Sequence, residues 1–209
     1  MTENAKIRVL CVDDHPLVRD GIAFALQMQQ DMELVGVATN GEEAIQEFRR
    51  LRPDITLMDL QMPVLNGFEA ITRIRKEFPK ARFIVLTTYA GDVQASRAFK
   101  AGASGYILKN MLRAEMVNTI REVHLGLKRV PTEIANSLAE RLSADDLSER
   151  EVEVLRSVAA GNSNKIIANH LLISEDTVKG HMKNIMVKLG ASDRTHAVTI
   201  AMKRGFFEG

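Results

Sequence analysis

Short apolar runs alternate with amphipathic stretches over residues 6–125. The runs at 7–12, 33–38, 54–58, 82–87 and 105–108 have the length and β-branched content of buried strands. Between them, near 17–29, 41–51, 67–78, 92–101 and 112–125, apolar residues recur at helical spacing. Five βα units of this kind predict an α/β fold, a parallel sheet with helices on both faces. Gly102, Gly105 and Pro79 punctuate element ends. The pattern changes after Leu125. Gly126, Pro131 and the Ser143–Asp146 stretch bracket a polar segment, so 126–147 reads as a linker with a short helix at 131–142. Beyond it no strand pattern occurs. Four helical patterns follow, at 148–160, 164–171, 175–189 and 193–204. Ser148 and Glu151 have capping-box spacing, and Gly161 and Gly190 sit where helix C-caps are expected. The expected organisation is a domain at 1–125, a linker at 126–147 and a small all-α domain at 148–209.

Composition adds little to this until charge is read by segment. A chain of 209 residues, 45% hydrophobic, has material for two small cores. The whole chain carries +1, and residues 1–125 balance 16 basic against 16 acidic side chains. Residues 161–205 instead carry Lys165, Lys179, Lys183, Lys188, Arg194, Lys203 and Arg204 against Glu175, Asp176 and Asp193, a net of +4. A local basic stretch on a neutral chain points to nucleic acid. The single cysteine, Cys11, lies in an apolar strand and excludes a disulfide framework or a zinc-finger spacing. No secretory segment and no apolar run of membrane-spanning length occurs, so a soluble, cytoplasmic protein with no membrane partner is expected.

The chemistry gathers at the predicted strand ends. Asp13 and Asp14 follow the first apolar run, and Asp59 follows the third. Ligands bind at the carboxyl edge of open α/β sheets. Three carboxylates on that edge repel one another unless a cation joins them. An oxygen-only set suits Mg²⁺, which takes one or two carboxylates together with phosphate oxygens. A carboxylate can itself accept a phosphoryl group, given a metal, a fixed cation and hydroxyl donors. Thr87 ends the fourth strand with a hydroxyl, and Lys109 follows the fifth with a cation.

These residues carry a resemblance. Val12-Asp13-Asp14-His15, Met58-Asp59-Leu60-Gln61-Met62-Pro63 with Gly67, Leu86-Thr87-Thr88 and Gly105-Tyr106-Ile107-Leu108-Lys109 together resemble the receiver domain of two-component response regulators over roughly residues 6–125. The resemblance implies a flavodoxin-like fold and Asp59 as phosphoacceptor. It implies Asp13, Asp14 and Asp59 as Mg²⁺ ligands with the Gln61 main-chain carbonyl. It further implies Thr87 and Tyr106 as switch residues, Lys109 as the cation on the phosphoryl group, and a sensor histidine kinase as partner. His15, before Pro16, reads as a helix-entry residue.

In the C-terminal segment, Asn164–Leu171, a turn at 172–174 and Glu175–Leu189 read as helix-turn-helix. Val178, Met182, Ile185 and Leu189 form one apolar stripe; Thr177, Lys179, Gly180, Lys183 and Asn184 fall largely outside it. Small, polar and cationic residues near a helix N-terminal half suit a DNA major groove. Lys165 and Lys188 add charge nearby. The motifs Leu147–Leu155, Gly161–Ala168, Ile173–Lys179 and Lys188–Ala191 resemble the LuxR-type DNA-binding domain. That implies a four-helix domain with 175–189 as recognition helix. It also implies a final helix, bearing Val198, Ile200, Ala201 and Met202, that pairs a homodimer on double-stranded DNA. Receiver plus this domain resembles the NarL/FixJ family. The function expected is a transcriptional regulator switched by phosphorylation of Asp59, not an enzyme beyond that self-catalysed transfer. Two rivals are an aspartyl phosphatase or nucleotide-handling enzyme, and a DNA-binding regulator whose receiver only docks. The first lacks the Asp-x-Asp pattern at Asp59, and Gly36–Gly41 is followed by Glu42-Glu43 rather than Lys-Ser/Thr. The intact acidic cluster disfavours the second.

Overall fold

The computed structural model describes residues 5–88, 91–110, 113–132, 134–136 and 147–207. They form two compact units. The first holds a five-stranded parallel sheet ordered β2-β1-β3-β4-β5, with β1 Ile7–Val12, β2 Met32–Ala38, β3 Ile55–Asp59, β4 Phe83–Thr87 and β5 Gly105–Leu108. Helices α1 (Pro16–Gln27), α2 (Gly41–Leu51), α3 (Gly67–Glu77), α4 (Asp92–Ala101) and α5 (Arg113–His124) connect and follow them. Strands β3 and β4 are buried along their whole length, which explains why they read as unbroken apolar runs rather than alternating ones. The order 2-1-3-4-5 reverses direction between β1 and β3, and the crevice at that switch point is where such sheets bind ligands. The register pairs Val12 with Met58, so the residues that follow, Asp13 and Asp59, emerge side by side.

Local signals fix the helix starts around this edge. Pro16 occupies the first turn of α1, where its missing N–H costs nothing. Asn40 and Asn66 cap α2 and α3, their side chains accepting from Glu43 N–H and Glu69 N–H. The glycine-flanked stretch Gly36–Gly41 thus ends in an ordinary capped helix start. Gly67 is sterically required: a Cβ there would lie 2.0 Å from the Asp59 carbonyl oxygen. Only glycine lets α3 begin against the end of β3.

One feature lies beyond the pattern. After α5 the chain returns to the sheet, and Arg129 pairs in parallel with Gly105. Arg129 N–H donates to Ser104 O, and Tyr106 N–H donates to Arg129 O, each at 3.0 Å. The segment read as the start of a linker therefore covers the outer edge of β5, where backbone groups would otherwise lack partners. Of the helix expected at 131–142, residues 132 and 134–136 are helical; the part from 137 on lies outside the described residues.

The second unit contains α6 (Glu149–Ala159), α7 (Asn164–Leu171), α8 (Glu175–Leu189) and α9 (Arg194–Arg204). The Ser148–Glu151 capping box forms in full. Val154, Leu155, Ile167, Val178, Ile185, Ala197 and Ala201 make its core. Leu172 and Gly190 end α7 and α8 in the left-handed region, Gly190 as its position predicted.

Candidate phosphoryl site and nucleic-acid interface

Asp13, Asp59 and Thr87 are buried at the carboxyl ends of β1, β3 and β4. Lys109 follows β5, and its N–H donates to Thr87 O at 2.7 Å, tying its backbone to the β4 end. Its Nζ then reaches across the edge. It donates to Asp59 Oδ2 at 2.7 Å and lies 2.8 Å from Asp13 Oδ2. The second contact is an ion pair without hydrogen-bond geometry, since Asp13 Oδ2 is buried and accepts no hydrogen bond. Asp14 Oδ1 is likewise buried without one. Gln61 N–H donates to Asp59 Oδ1 at 3.3 Å, which lays the loop after β3 against the carboxylate.

Three carboxylates here share one lysine. Burial pushes the Asp59 carboxyl above the usual carboxylate range despite the hydrogen bond and charge of Lys109, and the charge of Asp13 adds to the rise. Burial alone would lower the Lys109 ammonium, but its close contacts with the Asp13 and Asp59 carboxylates outweigh that and raise it. The site is therefore short of positive charge. Donor atoms of Asp13, Asp14, His15 and Asp59 lie within 4.8 Å of one another. With two buried carboxylate oxygens accepting no hydrogen bond, this set fits a divalent cation.

Tyr106 is buried within β5, its ring 6.4 Å from that of Phe99. Cys11, behind the site, has its thiol pushed up to about 12 chiefly by burial, which makes it an inert core residue. His15 does more than enter the helix. It is the N-cap of α1, its N–H donates to Asp13 Oδ1 at 2.9 Å, and its ring nitrogen Nδ1 lies 2.7 Å from Asp14 Oδ1. Adjacency to the acidic pair was its only signal in the sequence.

In the second unit, the α8 stripe of Val178, Met182, Ile185 and Leu189 is buried. Thr177, Lys179, Gly180, Lys183 and Asn184 are all exposed, as is Lys165 on α7. Lys179 pairs with Asp176 at 2.8 Å in full solvent, a weak and easily exchanged contact. Nothing lies within 4 Å of a Cβ placed on Gly180, so the fold itself has no need of glycine there. Lys188 differs from the rest. Its Nζ donates to Glu151 Oε2 at 2.8 Å, and both are largely withdrawn from solvent. It fastens α8 to α6. On α9, Ala201 is buried in the core, Val198 and Ile200 pack against it, and Met202 is exposed.

Residues 9–121 match the family described as the response regulator receiver domain, and residues 145–201 match the bacterial regulatory proteins of the luxR family. The chain is a response regulator. It joins a receiver to a LuxR-type DNA-binding domain, the organisation of transcriptional regulators of the NarL/LuxR class. It is similar to the transcriptional regulatory protein LnrK of Bacillus subtilis, 35% identical over 95% of this chain and 98% of that protein. It is also similar to the response regulator VraR of Staphylococcus aureus, 38% identical over 97% and 99%. Among solved structures, Salmonella typhimurium RcsB superposes with a TM-score of 0.72 at 26% identity, over 94% of this chain and all of that one. An RcsB–DNA complex gives the same TM-score and identity over 95% and 98%. No helix of this response regulator, among the described residues, is long and apolar enough to cross a membrane.

Proposed function

We propose that Asp59 is the phosphoacceptor of this response regulator and that its phosphorylation controls DNA binding through α8. The observation that carries this is Lys109 Nζ lying between Asp13 and Asp59 at 2.8 and 2.7 Å in a buried site. A carboxylate oxygen of Asp59 attacks the phosphorus of a kinase phosphohistidine. The new P–O bond forms as the P–N bond breaks, and its electron pair returns to the kinase imidazole. Lys109 is placed to follow the charge from the Asp59 carboxylate onto the phosphoryl oxygens. Thr87, at the end of the neighbouring strand, supplies a hydroxyl to one of those oxygens. Asp13, Asp14 and the Gln61 carbonyl, with Asp59, would hold Mg²⁺, which when bound would supply charge neutralisation at the phosphoryl oxygens. Phosphorylation adds about −1.5 to −2 charges and three acceptors, and Thr87 and Tyr106 carry that change to the receiver surface. The partners are a cognate sensor histidine kinase, double-stranded DNA and a second copy of the chain. The working boundaries are a receiver at 1–125, a linker at 126–147 and a DNA-binding domain at 148–209. The protein acts in the cytoplasm and has no turnover chemistry beyond its own phosphorylation and its loss.

Thr177, Lys179, Gly180, Lys183 and Asn184 form the groove-facing surface, with Lys165 on flanking phosphates. Lys188 acts through its hold on α6. The test is labelling with acetyl phosphate and Mg²⁺. One hydroxylamine-sensitive site is expected, on Asp59 and absent from Asp59→Asn. Undiminished labelling of Asp59→Asn would place the acceptor elsewhere.

A further inference from the structure

We propose that residues 127–131 form a detachable strap on the outer edge of β5, seated while Asp59 is unmodified and released when Asp59 carries a phosphoryl group. The inference rests on the reading of Asp59 as phosphoacceptor and adds a route by which that change leaves the receiver. The strap begins at a built turn. Gly126 has φ +89, its N–H donates to Val123 O, and Leu127 N–H donates to Glu122 O, each at 3.0 Å. This Schellman pattern ends α5 and turns the chain back along the sheet. Arg129 then pairs in parallel with Gly105. Its N–H donates to Ser104 O, and its carbonyl accepts from Tyr106 N–H. Ile134, further along, is buried and still belongs to the first unit. With the strap seated, the free linker therefore starts beyond Ile134.

The pairing is built to be weak. Continuing a parallel ladder would need residue 131 to donate to Tyr106 O, and Pro131 has no N–H. The strap is left with its two backbone bonds to β5. Arg129 Nε also pairs with Glu122 Oε2 at 3.0 Å, but in partial solvent, where such a pair holds little. Leu127 is exposed. A small cavity of about 80 Å³, lined by Tyr106, Thr119, Arg129 and Pro131 among others, remains under the strap. The strand beneath it is only four residues long. The strap grips that strand at Gly105 and Tyr106, and Lys109, just past its end, grips Asp59 through Nζ at 2.7 Å. A phosphoryl group on Asp59 draws Lys109 off the carboxylate. So short a strand passes the shift to Tyr106, whose N–H makes one of the strap's two bonds. Release moves the start of the free linker back to the end of α5 and gives the DNA-binding domain a longer tether.

The experiment reads hydrogen exchange by NMR at the Tyr106 and Arg129 amides of the full chain, with and without acetyl phosphate and Mg²⁺. Both amides should be protected at first and exchange about tenfold faster once Asp59 is labelled, the scale of losing two backbone hydrogen bonds. Asp59→Asn should show no change. Arg129→Pro removes the N–H that holds Ser104 O and should unseat the strap with no phosphoryl group present. It should still be labelled at Asp59, and its DNA affinity should respond to the phosphodonor by about twofold or less, below the usual range of such couplings. Arg129→Ala, which loses only the pair with Glu122, should respond as the wild type does. Unchanged protection of both amides at full labelling of Asp59 overturns the strap and leaves the phosphoacceptor reading intact, as does a full DNA response in Arg129→Pro. The exchange result decides by itself if Arg129→Pro does not fold. A wild type that takes no label at Asp59 overturns the phosphoacceptor reading and the strap with it.

Discussion

Asp59 sets burial against charge. Its carboxyl is held above the ordinary range by burial, with Lys109 offsetting only part of that. An acid whose folded pKa exceeds its unfolded one binds its proton more tightly in the folded chain. Ionising it therefore opposes folding. That cost is present above the folded pKa and is gone once pH falls below the unfolded value. In chelator, Asp59→Asn should raise the melting temperature of the receiver at neutral pH and lose that advantage near pH 3. A variant that melts lower at neutral pH would mean that the Lys109 pair outweighs burial. Glu151 has the opposite sign. Burial disfavours its ionisation, but the Lys188 bond and the Ser148 N–H and hydroxyl bring its carboxyl below the ordinary range. Its contribution is present above the unfolded carboxylate pKa and is lost as pH falls through the folded one. Glu151→Gln should therefore cost the second unit about 1–2 kcal/mol at neutral pH, through a weakened cap and a lost ion pair, and much less at acid pH. Denaturant titration at two pH values checks it.

At the scale of elements, the helix-turn-helix contains a local conflict of its own. Leu172 ends α7 at φ +53 and is 92% exposed, so it packs nothing in exchange for a left-handed backbone. Leu172→Asn should raise stability by about 0.5–1 kcal/mol, measured by thermal unfolding, because Asn adopts that region more readily. Gly180 gives the reverse trade. With open space around its Cβ, Gly180→Ala should stabilise α8 by up to about 1 kcal/mol yet weaken DNA binding where the backbone approaches a groove. Unchanged affinity would remove close approach as the reason for glycine. The strands, helices α1–α9 and the α8 stripe were legible because each follows a local rule: buried parallel strands as apolar runs, helices by period and cap. The pairing of Arg129 with β5 was not. It is a non-local contact made by backbone atoms, and backbone hydrogen bonds leave no pattern in side-chain type. The Lys188–Glu151 pair was hidden for a related reason. Charge and spacing put Lys188 on the basic face, and only the packing of α6 against α8 brings Glu151 to it. The His15 ring escaped because its dipeptide with Pro16 already explained it as a helix start.

For the whole molecule, the acidic cluster and α8 lie on separate compact units, so any control of one by the other is a coupling free energy. Such couplings are typically worth 1–3 kcal/mol, or about 5–150-fold in affinity. The site residues were legible through their joint occurrence at four strand ends; singly, a Thr, a Lys or a pair of Asp carries little. The direction and size of the coupling have no comparable signature, since they depend on the energy difference between two states and one sequence encodes both. The measurement that tests the account most directly is DNA affinity, at fixed salt, of the wild type and Asp59→Asn with and without acetyl phosphate and Mg²⁺. The account predicts that the phosphodonor changes wild-type affinity by at least fivefold, leaves Asp59→Asn unmoved, and acts through a surface that Lys183→Ala weakens in both states. Equal affinity of the wild type with and without the phosphodonor, at full labelling of Asp59, would contradict it.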